Sequence, residues 1–411
     1  AYLAANVAAV AEVAERVRPD VALANHLVMG PAILARALGP LGVPYAVKIH
    51  GSALEYTVKP HPRFLPYARE GLAGATGVLV GSAHTAESLW AALDGPGLPA
   101  RTRLGPPGVD LSDFHPREPA AARAALRGLA EQLGATGAET RDAGSAFARD
   151  THAAGAALAT VAAGAERGDP LVGYVGKLIV SKGIDLLLAA WPRVLRAVPD
   201  ARLVVVGFGA YRATLEALAA ALAAGDRATA EAIAGAGRAE EGGPRGELRL
   251  LRRALDDLDA ADWAAARGMG DRIHWVGRLE HAELAGLLPA CAAQVVPSTF
   301  PEAFGMVAAE AAACGVLPVS AAHSGLAEVT EALAAAVPAE VRPWLSFPLA
   351  GDPAAGLAER LVAWLRAPEE LRARAREALA AEAVRRYGWE GVATGVIAAA
   401  QGHLASLPAV R

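Results

Sequence analysis

Cysteine is almost absent: the 411 residues hold two, Cys291 and Cys314, too far apart for a C-x-x-C pair. No disulfide framework follows from that spacing, which fits a reducing compartment, and a cytoplasmic protein is expected. Aromatic residues are few, at 5%. Neither sign of charge dominates, since 39 Lys and Arg face 43 Asp and Glu for a net charge of -4. No bulk field therefore draws the chain to nucleic acid or to a membrane surface, and no nucleic-acid partner is expected. A run of about 18 apolar, uncharged residues, as a spanning helix needs, is also missing. The opening A-Y-L-A-A-N-V-A-A-V has neither an initiator Met nor a basic leader. It reads as a helix already under way, and the chain is expected to be a fragment.

What is present is a 54% hydrophobic chain, with Ala a large part of that fraction, long enough for two domains. Short β-rich runs alternate with helix-length connections: V-A-L-A-N (21–25), Y-A-V-K-I (45–49) and G-V-L-V-G-S (77–82), then the turn chemistry of L-G-P-P-G-V-D (104–110). A second series has L-V-G-Y-V-G (171–176), A-R-L-V-V-V-G (201–207), D-R-I-H-W-V-G (271–277), A-Q-V-V-P-S (293–298) and V-L-P-V-S (316–320). Such alternation predicts α/β domains with parallel sheets. The expected organisation is a first Rossmann-like domain over 1–116 and an Ala-rich helical insertion or linker with flexible joints over 117–168. A second Rossmann-like domain follows over 169–389, with a charged helical insertion at about 212–270, and a last helical segment over 390–411 crosses back to the first domain.

In G-K-L-I-V-S-K-G-I-D-L-L-L-A-A-W (176–191) a strand gives way to a Gly-containing loop and then to a helix. The pattern places the helix start near Ser181 as N-cap, with Asp185 in the first turns. Ile184, Leu187, Leu188 and Trp191 recur at helical spacing and form one buried face. Lys177 and Lys182 flank the loop where open α/β sheets bind ligands, a good place for a diphosphate. G-F-G-A-Y-R (207–212) is not a dinucleotide fingerprint: Arg212 stands where the third glycine belongs, and a tight strand-to-helix turn is expected instead.

P-E-A-F-G-M-V-A-A-E (301–310) places Glu302 in a loop and Glu310 on the helix that follows, with seven residues between them. A catalytic acid/base pair, a metal site and an anion site are all open from that spacing alone. The N–H groups from about Gly305 to Val307, Met306 among them, have no acceptor within the helix and carry its positive end. Glu310 would lie about 7.5 Å further along the axis from Gly305. A nucleotide sugar matches that layout, one acid on the hexose, the other on the ribose, and the helix start on the diphosphate.

Together G-K-L-x-x-x-K-G and E-A-F-G-M-V-A-A-E resemble the retaining GT-B glycosyltransferases of family 4. K-I-H-G-S (48–52), G-P-P-G-V-D-L-S-D-F-H-P (105–116), W-V-G-R-L-E-H-A-E-L (275–284), S-G-L-A-E-V (324–329) and Y-G-W-E (387–390) extend the likeness in the same order along most of the chain. The resemblance implies two Rossmann-like domains facing across a cleft, and metal-independent transfer of a hexose from an NDP-sugar to an acceptor hydroxyl with retention. It implies Glu302 on the donor sugar, Met306 and Val307 N–H groups on the phosphates, and Glu310 on the ribose. Lys177 and Lys182 would hold the leaving diphosphate, the backbone near Arg278 the base, and His50 would stand near donor sugar and acceptor. No cofactor beyond the donor is implied, and no D-x-D occurs in a strand-end loop to hold a metal. Peripheral membrane association would follow only from a lipid acceptor.

The sequence departs from the family in four places and at its front. Lys177 replaces a usual Arg, Phe208 a usual Asp, and Ser324 and Ala327 a usual Gly and Pro. The family's opening strand and Gly-rich loop have no counterpart, so roughly the first three strands of the first domain are expected to be missing, with consequences for activity. An NDP-sugar 2-epimerase of the same fold and a non-catalytic sugar-nucleotide-binding partner protein are the alternatives; a dehydrogenase ranks far behind.

Overall fold

The computed structural model describes residues 1–95, 97–135 and 149–410. The first sheet has four strands in chain order, β1 (Ala22–Asn25), β2 (Tyr45–Ile49), β3 (Gly77–Val80) and β4 (Thr102–Leu104). The second has six: β5 (Leu171–Val175), β6 (Arg202–Val206), β7 (Ile273–Gly277), β8 (Ala293–Val296), β9 (Leu317–Ala321) and β10 (Ser346–Phe347), in the order β10-β9-β8-β5-β6-β7. All named pairings are parallel. β2 and β6 are buried at every position, as apolar strands covered on both faces must be. In the second sheet β5 stands between β6 and β8, so the connections leave it in opposite directions. That switch opens a crevice at the carboxyl ends of β5 and β8.

Two short strands escaped the sequence pattern. β4, within and just before the stretch read as turn, has three residues and no apolar run; its edge is completed by the far end of the chain, where Leu104 N–H donates to Pro408 O at 2.9 Å. β10 has two residues. The helix after β5 starts later than expected. Ser181 belongs to a 3-10 turn, Val180–Lys182, and the helix Ile184–Ala197 is preceded by Gly183 as N-cap at φ 67°. A side chain there would be strained, and its Cβ would lie 2.0 Å from Pro297 O. The turn brings the loop after β5 against the loop after β8. Ile184, Leu187, Leu188 and Trp191 are fully buried as expected. Asp185 is buried as well, and burial pushes its carboxyl up to about 6, with Glu241 adding to the shift.

The expected joints within 117–168 fall partly on 136–148, outside the described residues. The helices on either side, Pro119–Ala135 and Thr151–Glu166, are not a tether between domains. They pack on one another and place Leu126, Leu129, Leu133, Leu158 and Val161 in the core of the second sheet, because their apolar faces need that cover. The stretch 212–270 is largely helical: Arg212–Ala224, Arg249–Asp256 and Ala260–Ala266 pack on the helix Ile184–Ala197, and Arg227–Ala236 packs on the first two of these. The chain then returns to the first sheet: Ala399 and Ala400 of the helix Trp389–Ala400 pack on Ala46 and Leu79, and Thr76 Oγ1 donates to Ala400 O at 2.7 Å.

Candidate active site

A cleft of about 900 Å³ separates the carboxyl ends of the two sheets. Its wall includes Lys48, His50, Gly51 and Tyr56 from the first domain and Lys177, Lys182, Ser298, Glu302, Gly305, Met306 and Val307 from the second. The structure thus brings His50, Glu302, both lysines and the start of the helix Met306–Ala313 around one space. Glu310 and Arg278 do not line it.

The second-domain wall is assembled at the β5–β8 switch. Tyr174 Oη donates to Lys177 O at 2.9 Å and Leu178 N–H to Phe208 O at 2.8 Å, which fixes the start of the lysine loop. The G-x-G at 207–209 serves this packing: a Cβ on Gly207 would stand 1.9 Å from Gly176 O. It is a close approach of two strand-end turns, where the sequence had indicated only a tight strand-to-helix turn. At the other end of the loop Thr299 N–H donates to Ser181 O at 3.0 Å. Lys182 Nζ is ion-paired with Glu302, whose Oε1 also accepts from Ser298 Oγ at 2.7 Å.

The Glu302 backbone is held by Ser324, a position where the sequence departs from the pattern it resembles. Ser324 adopts φ 52°, in the left-handed region that glycine enters without strain. Its hydroxyl accepts the Glu302 N–H at 2.9 Å, a bond glycine lacks. Gly305 is the N-cap of Met306–Ala313, so the first N–H groups of that helix open on the cleft without an intrahelical acceptor.

Glu310 faces inward on that helix. It is 6% exposed, its Oε1 lies 3.0 Å from His281 Nε2, and burial raises its pKa while His281 opposes the rise. The His281 ring in turn lies tilted against Phe114, with the ring centroids 4.7 Å apart. Arg278 follows β7, bonded to Glu280 at 3.0 Å and lying 5.7 Å from the ring centroid of Phe208. The aromatic side chain at that unusual position therefore has a cation–π partner.

On the facing wall, His50 follows β2. Its Nε2–H donates to Asn25 Oδ1 at 2.9 Å, leaving Nδ1 as an acceptor. His50 is an exposed residue, yet the desolvation its ring meets at the cleft wall, with His26 and Lys48 as neighbours, pushes its pKa down to about 4. Lys48 is 6% exposed and donates to Pro106 O at 3.0 Å, and burial lowers its pKa. Asn25 carried no sequence signal, being one polar residue at a strand end.

The domains also touch beside the cleft. Tyr56 and Phe300, both exposed, stack across its mouth at 6.3 Å and 25°. Ser82 Oγ donates to Ala303 O at 2.7 Å, and the Glu328 carboxylate accepts Ala83 N–H at 2.7 Å and His84 N–H at 2.9 Å. Glu328 thus caps a first-domain helix, Ala83–Ala92, from the second domain. The S-G-L-A-E-V run had flagged the segment without assigning Glu328 a role. Replacing Glu328 by Ala is expected to cost about 1–2 kcal/mol in urea unfolding, as loss of a charged cap does. An unchanged unfolding curve would show that this cap adds nothing.

Among the described residues no group of three or more His, Cys, Asp or Glu is placed to hold a metal ion, and no helix is long and apolar enough to cross a membrane.

Two parallel-sheet domains on either side of a cleft lined by a helix start define the GT-B class of glycosyltransferase fold. Residues 161–229 and 257–341 match the family described as Glycosyl transferases group 1. A D-inositol 3-phosphate glycosyltransferase of Segniliparus rotundus is 30% identical over 76% of this chain and 51% of its own length. A protein of the same name from Frankia alni is 29% identical over 92% of this chain and 73% of its own. The chain thus spans about half the length of the first relative. The crystal structure of Anabaena HepE in complex with UDP shares the fold at a TM-score of 0.60 and 18% identity, over 98% of this chain and 82% of that one.

Proposed function

We propose that the chain binds an NDP-sugar in the cleft and transfers its hexose to an acceptor hydroxyl with retention of configuration, as a family 4 enzyme. One observation carries this reading: Lys177, Lys182, Glu302 and the open N–H groups of Met306–Ala313 face His50 across one cleft. Two cations and a helix start suit a diphosphate, and a carboxylate suits sugar hydroxyls. The bond between the anomeric carbon and the diphosphate oxygen breaks as the acceptor oxygen bonds to the same face of the sugar. The leaving diphosphate takes the acceptor proton. The lysines and the helix dipole stabilise the charge that develops on it, so this route needs no metal and no cofactor beyond the donor. Glu302 holds sugar hydroxyls, and neutral His50 offers Nδ1 to a hydroxyl at the reacting centre. In this reading Glu310 takes the ribose once His281 yields, and the backbone near Arg278 meets the base. Site of action is cytoplasmic.

UDP is the first nucleotide to test, on the likeness to HepE, and a phosphorylated cyclitol the first acceptor, on the names of the two sequence relatives. Calorimetric titration with UDP, GDP and ADP should show one of them binding in EDTA. NMR of the product made with the matching NDP-sugar should show the donor's anomeric configuration. Failure of all three nucleotides to bind refutes the reading. Conversion of the donor to an epimer without acceptor would favour the epimerase.

A further inference from the structure

Residues 230–256 lie outside both stretches that match the family. They are nonetheless tightly built. Leu248 N–H donates to Ala234 O at 2.8 Å, Gly243 N–H to Arg238 O at 3.0 Å and Arg238 N–H to Pro244 O at 3.2 Å, folding 237–246 into a compact turn. That turn carries Glu241, whose side chain is 9% exposed. Its Oε1 accepts the N–H of Val180, and its Oε2 is held by Arg238 Nε at 2.9 Å. Val180 lies in the loop between Lys177 and Lys182. Lys177, Ile179, Ser181 and Lys182 line the cleft and Val180 does not, so Glu241 reaches the loop from behind. The loop's start is tied to Tyr174 and Phe208 and its end to Thr299; Glu241 ties its middle.

We propose that the insertion 230–256 is a brace that presets the lysine loop for a diphosphate, with Glu241 as its positioning residue. The geometry stands by itself; the consequence for ligand binding rests on the donor reading above. A loop that must close two lysines on an anion loses conformational freedom when it binds, and a brace already in place removes much of that cost. Arg238 offsets the charge of Glu241, so the carboxylate shapes the loop without repelling the diphosphate in front of it.

The test compares Glu241→Ala, Glu241→Gln and, as a control on the same turn, Glu240→Ala in the full chain. Amide hydrogen exchange over 177–183 is read without ligand, and affinity is read by calorimetry with UDP, GDP and ADP. Losing a charge-assisted bond should speed exchange at Val180 about tenfold and raise the Kd of the bound nucleotide about five- to tenfold in Glu241→Ala. Glu241→Gln keeps an acceptor oxygen and should restore both readouts to within about threefold of wild type, since a neutral bond is the weaker one. Glu240→Ala should change neither. Unchanged loop exchange in Glu241→Ala overturns the brace. A loosened loop with unaltered affinity, or Gln as damaging as Ala, overturns the positioning role. Wild-type protein that binds none of the three nucleotides refutes the donor reading, while the exchange data still decide whether the brace exists.

Discussion

Replacing Lys182 by Ala should weaken nucleoside diphosphate binding about tenfold or more and lower turnover about 10²- to 10³-fold, the range seen when one donor to a developing oxyanion is lost. The geometry gives the reason. Lys182 is pinned between the turn ending at Gly183 and the loop after β8, with its Nζ on Glu302. An arriving diphosphate offers that cation a denser charge, so part of the ion pair is exchanged for phosphate contact. Glu302→Gln should then separate two effects. Freed from its carboxylate, Lys182 should hold the diphosphate at least as well, while turnover falls because the sugar hydroxyls exchange a charged acceptor for a weaker neutral one. Titration calorimetry and steady-state rates measure both. Unchanged affinity in Lys182→Ala would mean that the diphosphate is bound elsewhere.

The second large effect is expected at His50, and its signature is opposite. His50→Ala should reduce kcat about 10²-fold, as misplacement at a reacting centre does, with diphosphate affinity left nearly unchanged. His50 lies on the wall facing the lysines, so its removal touches the reacting end of the donor. Equal losses in kcat and affinity would contradict this placement. The ring should be neutral throughout the working range, because its pKa is pushed down to about 4. For a histidine with a depressed folded pKa, the folded state favours the neutral form. The associated stability is full above the unfolded value near 6.5 and is lost as pH falls from there towards about 4. An NMR titration should accordingly show the His50 ring free of any change between pH 6 and 8. A midpoint near the ordinary histidine value, about 6.5, would show that burial does not govern it.

The two assignments remote from the cleft wall show where local pattern stops being informative. Helical spacing places Glu310 about one turn beyond Met306. Spacing along an axis does not say which way a side chain faces, and here neighbouring elements turn Glu310 inward against His281. Arg278 follows β7 as expected, yet its side chain is directed by Glu280 and Phe208, not by the β-strand pattern.

The sequence by itself determined the α/β class, the positions of eight strands from their apolar runs, the buried face of the helix after β5, and the start of a helix beyond Glu302. These depend on hydrophobic periodicity and on backbone groups that any helix end leaves open, both of which are local. Tertiary structure alone decided which loops meet. The Lys182–Glu302 pair spans 120 residues of sequence, and it exists because β8 pairs with β5 across the switch point. The same holds for Asn25 on His50, Glu328 capping a helix of the other domain, and Glu241 behind the lysine loop. An apolar run shows that a strand will be covered; which strand lies beside it depends on the packing of the whole sheet, and the direction of each polar side chain follows from that packing.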